Sequence, residues 1–416
     1  MNYRFQVVGS RLSVPHAGFI LSTALHMRWR CVGVLLNHCV PCFLTSFFSL
    51  PIATVPMTEI PPQRERLEKP TLIYPFEVPP DMGKTLEVAP GVVWMRMPMP
   101  FKLDHINIWG LADDNGWAVV DTGMRTDETL AAWRDLFANA NANANEQRPI
   151  TRVFCTHMHP DHVGMAGWLT RKFNCRLWMT RLEYLNCRVL LADTGREAPD
   201  DGVTFFRRAG WSDASIENYQ ARFGNFGKRI HALPDSYRRM SDGEEIKIGA
   251  NTWRVIVGTG HSPEHACLYC PELKLLISGD QVLPRISSNV SVHPTEPDAD
   301  PMGDWMQSLA KIKREVPDDV LVLPSHNECF RGLHARLDYL GASQVRTLDR
   351  LRKTLKEPKR AVDVFVALFA RGIDESDGPL LNMATGESLA CLNYLMHRGE
   401  VRRELNDAGV SMYQML

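Results

Sequence analysis

Four metal-binding side chains stand within six residues in His157-Met158-His159-Pro160-Asp161-His162, directly after an apolar run. That run, 150–156, reads as a short buried strand, with β-branched and aromatic residues and no breaker inside it. Val163, Ala166, Trp168, Leu169 and Phe173 then recur at helical spacing, so the six residues form a strand-to-helix turn. An α-helix would show one or two of these side chains on a given side, whereas a tight turn lets them converge from several directions. Imidazole nitrogens and a carboxylate oxygen are donors that Zn²⁺ prefers. The plain alternative is a solvated loop rich in histidine, and residues further along the chain weigh against it.

Those residues are His261, Asp280 and His326, each placed where an apolar run ends in a turn. Residues 253–257 lead into Gly258-Thr259-Gly260-His261, 273–277 into Ser278-Gly279-Asp280, and 320–323 into Pro324-Ser325-His326. A further run, 117–120, ends in Asp121-Thr122-Gly123. Glycine permits the sharp turn and the close backbone approach that aim the next side chain off the sheet edge. Five strand ends therefore present polar, metal-type residues along one rim, where separate strands can hold them in a small volume. Any one of these residues alone would more often be structural. The repeated strand–turn–ligand pattern decides for a site.

Taken in order, Asp121, the 157–162 motif, His261, Asp280 and His326 resemble the five successive motifs of the metallo-β-lactamase superfamily. The 19 positions from His261 to Asp280 and the 46 from Asp280 to His326 suit its glyoxalase II-like hydrolases. The resemblance covers residues 90 to 330 and implies a four-layer αββα sandwich carrying two zinc ions, for which iron or manganese could substitute. It implies that His157, His159 and His261 hold the first ion, Asp161, His162 and His326 the second, and that Asp280 bridges both. Asp121 would lie behind the ligands and steady the histidine loop. True β-lactamases lack the bridging aspartate, and flavodiiron-type members carry a glutamate at the position of His159. The nucleases with a large extra domain insert it between the last two motifs, where this chain has too few positions. The 99 positions from His162 to His261 imply an inserted segment at about 181–245.

Two divalent ions about 3.5–4 Å apart can lower the pKa of a shared water from 15.7 to about 7. Asp161 is both a ligand and the carboxylate best placed to orient the nucleophile and pass a proton. His265 could reach the substrate, although a hydrogen-bonding strand residue is the commoner role for such a histidine. Ile216, Tyr219, Phe223 and Phe226 fall at i, i+3, i+7 and i+10, one stripe of a helix within the insertion. The stripe either packs on the sandwich or forms a lid, with Tyr219 and Phe223 against an apolar acyl group. The expected reaction is hydrolysis of a small acyl substrate, a thioester first and a lactone or ester next. The rival is cleavage of a nucleic-acid phosphodiester guided by the C-terminal region.

Composition bounds these readings. A chain of 416 residues with net charge −1 shows no general field for a polyanion, and scattered cysteines suit a reducing, cytoplasmic setting. Residues 1–56 read as a leader or disordered segment that need not belong to the mature protein, and they contain no run apolar enough to span a membrane. Residues 57–90 read as a proline-rich extended arm and 91–330 as the catalytic domain. The alternating Ala/Asn tract at 138–145 reads as a surface loop closing a helix that starts near Asp127. Beyond His326, helices at 333–355, 361–370 and 379–396 precede a short hairpin, a pattern that resembles a winged-helix domain. Residues 331–416 hold 13 Lys/Arg against 11 Asp/Glu, too balanced for a strong phosphate-binding face, so packing or homodimer formation is the preferred role.

Overall fold

The computed structural model describes residues 67–143, 149–369 and 372–416; residues 1–56, expected to be a leader or disordered segment, lie outside them. Seven strands form the first sheet in chain order: β1 (Thr85–Ala89), β2 (Val92–Pro98), β3 (His105–Asp113), β4 (Gly116–Val120), β5 (Ile150–Phe154), β6 (Arg176–Met179) and β7 (Arg238–Arg239). The first four run antiparallel and the last four parallel. Parallel neighbours need crossovers. Helix α1 (Asp127–Asn143) makes the first, and α2 (Pro160–Val163) with α3 (Ala166–Phe173) the second.

The insertion follows as α4 (Arg181–Ala192), α5 (Asp200–Ala209) and α6 (Asp213–Arg222). A second sheet has the order β12-β11-β10-β9-β8, with β8 (Glu245–Ile248), β9 (Asn251–Gly258), β10 (His265–Cys270), β11 (Leu275–Gly279) and β12 (Leu321–Pro324). Helix α7 (Pro301–Glu315) connects β11 to β12, and α8 (Leu333–Thr354), the single turn α9 (Phe365–Leu368) and α10 (Gly378–His397) come after. The chain ends in the hairpin of β13 (Val401–Leu405) and β14 (Ser411–Met415).

Strands buried on both faces read as unbroken apolar runs. On β5, Val153 faces the helices while Phe154 faces the other sheet. The layer between the sheets contains Trp94, Trp109, Val120 and Phe154 from one and Trp253, Leu268, Ile277 and Leu323 from the other. Outside the first sheet, Trp133, Leu169 and Tyr184 from α1, α3 and α4 close a second core. Outside the second, Trp305, Leu309, Leu337 and Leu389 pack on Ile256, Cys267 and Val322. These four layers are the αββα sandwich expected from the motif order.

Several local expectations need correction. The Ala/Asn tract is helical through Asn143, because alternating alanine supplies enough helix preference to carry α1 onward. The extended arm gives way to β1 at Thr85. The aromatic stripe is not one helix: α6 ends at Arg222, Gly224 turns with φ 72°, and Phe226 sits on a separate 3₁₀ turn. Among the described residues all cysteines are free thiols, and no helix is long and apolar enough to cross a membrane.

Candidate metal centre

The sandwich brings all seven expected ligands to one rim. Asp121 follows β4 with φ 63°, a left-handed conformation that Asp tolerates better than most residues and that tends to persist where function requires it. Its Oδ1 accepts the Thr156 N–H at 2.8 Å, and its Oδ2 lies 2.8 Å from His162 Nδ1 and 2.9 Å from Thr156 Oγ1. A carboxylate can only accept, so His162 Nδ1 carries a proton and Nε2 is the nitrogen left to face an ion. Two backbone carbonyls impose the same tautomer elsewhere. His326 Nδ1 donates to His105 O at 2.9 Å, and His261 Nδ1 donates to Asn289 O at 2.7 Å. Thr156 Oγ1, committed to Asp121, accepts from His157 Nδ1 at 3.0 Å.

The free nitrogens then converge in two groups. In the first, His157, His159, His261 and Asp280 place their ligand atoms within 4.8 Å of one another, and in the second Asp161, His162 and His326 do the same. Asp280 lies between the groups, with Oδ2 3.5 Å from both His261 Nε2 and His162 Nε2, and Oδ1 3.4 Å from His326 Nε2. Asp161 Oδ2 is 3.4 Å from both His162 Nε2 and His326 Nε2, and His157 Nε2 is 3.3 Å from His261 Nε2. Two atoms each about 2.0–2.1 Å from a tetrahedral zinc would stand about 3.3–3.4 Å apart. Most of these separations match that edge; His157 Nε2 and His159 Nδ1, at 2.8 Å, stand closer. His162 Nε2 and Asp280 Oδ1 are buried without a hydrogen bond, a costly state that a cation would relieve. The donor set fits a pair of divalent ions.

Electrostatics separate the rings into two kinds. Burial holds His157 and His265 well below the usual imidazole range and His159 at about 3, so these rings are neutral; His157 and His159 can then act as ligands. Burial opposes charge on His326 too, but the Asp280 and Asp161 carboxylates outweigh it and push the ring up to about 10. His162 is raised well above its ordinary value by Asp161, Asp121 and Asp280 against the same desolvation. Three aspartates thus concentrate negative charge in this corner, which favours either a second proton on His162 and His326 or, in its place, a cation. The Asp161 and Asp280 side chains keep 15% and 11% exposure, so the centre opens to solvent on one side.

His265 and Tyr219, the expected substrate contacts, are engaged within the protein in this structure. The His265 ring is fully buried and its Nε2 accepts the Asp280 backbone N–H at 3.1 Å, which fixes where that carboxylate starts. Gly279 has φ 52°, and a Cβ there would strike the same ring. Gly260, before His261, is likewise required, since a Cβ would run into Trp305. Tyr219 turns into the core against Phe206, with ring centroids 4.7 Å apart. Phe223, after the end of α6, stays partly exposed.

Other residues escaped sequence reasoning. Buried Glu183 accepts Met158 N–H at 2.9 Å and Glu264 N–H at 2.8 Å, clamping the histidine loop to the turn after His261. Asn107 donates to Pro324 O and Asn327 O, both at 2.8 Å, and so shapes the His326 turn. His293 is solvent-exposed, and burial of its ring followed by the nearby His261 lowers its pKa. None of these positions carries a local motif; each is defined by partners distant in sequence.

A model of the metallo-beta-lactamase superfamily matches residues 102–326. The chain belongs to the metallo-β-lactamase superfamily. A model of the metallo-beta-lactamase-like C-terminal domain matches residues 348–416 of this superfamily member. A solved beta-lactamase domain protein from Burkholderia ambifaria is similar at 38% identity and a TM-score of 0.74, over 83% of this chain and 98% of its own. An atrochrysone carboxyl ACP thioesterase from Aspergillus fumigatus shares 23% identity across 62% of this chain and 46% of its own length, so the match spans about half of that relative. A hydroxyacylglutathione hydrolase from Rhizobium etli shares 22% identity over 62% of this chain and 77% of its own.

Proposed function

We propose that this metallo-β-lactamase superfamily member is a binuclear, metal-dependent hydrolase of an acyl substrate, a thioester first and a lactone or ester next. His157, His159 and His261 would hold one ion, Asp161, His162 and His326 the other, and Asp280 both, with zinc the expected metal. The observation that carries this reading is the Asp280 carboxylate, whose oxygens lie 3.4–3.5 Å from histidines of both groups. When bound, such ions activate water and polarise a carbonyl oxygen. The chain's own residues do the rest. Asp161, partly exposed on the open side, orients the nucleophile and takes its proton. Asp121 and the carbonyls of His105 and Asn289 hold three rings in the donor tautomer throughout.

Acyl chemistry is favoured over phosphodiester cleavage by the relatives, one named a thioesterase and another a hydroxyacylglutathione hydrolase, and by the C-terminal arginines. Arg352 and Arg398 are bound to Glu400, Arg360 to Asp363, Arg402 to Glu404 and Arg403 to Asp298. Guanidinium forks already engaged by carboxylates are poor phosphate binders. The test is a turnover screen of zinc-loaded protein against acyl-thioesters, lactones and an RNA phosphodiester. Thioester or lactone hydrolysis without RNA cleavage is expected, and RNA cleavage alone would overturn the proposal.

A further inference from the structure

Residues 281–300 connect β11 to α7 without a helix or strand, a length at which loops are usually either mobile or functional. This one is tied down along its course by the C-terminal helices. Near its start, Arg336 on α8 donates to Leu283 O at 2.6 Å and Ile286 O at 2.7 Å. In the middle, Val292 N–H donates to Gly386 O at 3.0 Å, an approach that needs glycine because a Cβ at 386 would meet Ser291. Toward its end, Asn393 Nδ2 donates to Pro297 O and Ala299 O, both at 2.9 Å, and Arg403 reaches Asp298 at 3.0 Å.

Two adjacent residues of this loop touch the metal centre. Ser288 Oγ donates to the Asp280 carbonyl, and the Asn289 carbonyl takes the His261 Nδ1 proton. The Asn289 side chain is held at both ends: Nδ2 donates to Glu387 Oε2 on α10 at 3.1 Å, and Oδ1 accepts from Ser291 Oγ at 2.6 Å. Holding that side chain restrains the backbone of the residue whose carbonyl meets His261. The corresponding anchors of His162 and His326, Asp121 and His105, belong to the first sheet and its rim. The two metal positions are therefore supported unequally.

We propose that Glu387 is a positioning residue for His261, so that capture of one ion of the pair, and not the other, depends on the C-terminal domain. This rests on the reading of His261 as a metal ligand. The domain would then act as a brace built into the metal site, in place of a substrate-reading module. Partners that orient a ligating histidine from behind contribute about 10–100-fold to metal affinity.

The experiment is chelator competition with Zn²⁺ on the full-length chain, reading the two stepwise dissociation constants. Glu387→Ala should weaken one constant by about 10–100-fold and leave the other unchanged. Glu387→Gln keeps an acceptor oxygen for Asn289 and should restore it. Glu387→Ala combined with Asn289→Ala should cost no more than the larger single effect, because both act through one amide. Should Glu387→Ala fail to fold, Asn289→Ala carries the same expectation. Wild-type constants in Glu387→Ala, or an equal loss at both positions, would overturn the proposal. A wild-type chain that takes up no Zn²⁺ would instead overturn the metal reading beneath it.

Discussion

Asp121 shows how much one residue can be asked to do. It adopts a left-handed backbone conformation while its carboxylate receives the Thr156 N–H, the Thr156 hydroxyl and the His162 ring. Such backbone strain costs about 1–3 kcal/mol and persists where the surroundings impose it. Asp121→Ala should lower zinc affinity on the His162 side by about 10–100-fold, read by chelator competition; unchanged affinity would remove Asp121 from the site. Glu387 offers a pH test. Burial raises its carboxyl from 4.5 to about 7. The folded state then holds a proton that the unfolded chain has released, so stability falls as pH rises through that window. The gap corresponds to at most about 3 kcal/mol, less because the group is partly exposed. Glu387→Gln should therefore gain stability over wild type between pH 5 and pH 8 in denaturant titrations, while equal pH profiles would contradict the burial argument. The residues that converge at the candidate metal centre were legible, since each stands at the turn ending an apolar run. Glu183, Asn107 and Glu387 were not, because their partners lie 25, 217 and 98 positions away in the chain.

At the scale of elements, strands were the most readable, because those sandwiched between two layers must be apolar on both faces. The insertion was less so. Periodicity alone joined Ile216, Tyr219, Phe223 and Phe226 into one helix, but Gly224 turns the chain, so Ile216 and Tyr219 join one core and Phe226 another. Phe206 is the aromatic that anchors the insertion, stacked on Trp211 at 4.1 Å and tilted against Tyr219 at 4.7 Å. Phe206→Ala should cost about 3–5 kcal/mol of stability. Phe223→Ala, at a partly exposed position, should cost well under half as much. Similar losses in thermal or denaturant unfolding would mean that Phe223 is core after all. His265, whose strand position suggested either of two roles, takes the hydrogen-bonding one in this structure: its buried ring accepts the Asp280 N–H from inside the sheet.

Across the whole molecule, net charge near zero and a C-terminal domain whose arginines are largely engaged by carboxylates and carbonyls argue against a phosphate-tracking surface. RNA binding should accordingly be weak, with a shallow dependence on salt in a filter-binding or anisotropy series, since few counterions would be released. Tight binding that falls steeply with salt would contradict this. The central claim is that one sandwich rim holds two ions through a shared carboxylate, and it is tested most directly by metal counting. Elemental analysis of active, purified protein should give about two transition-metal ions per chain, and Asp280→Ala should lower that number along with turnover. One ion or none in fully active enzyme, or an Asp280→Ala variant that retains both ions and normal turnover, would contradict it.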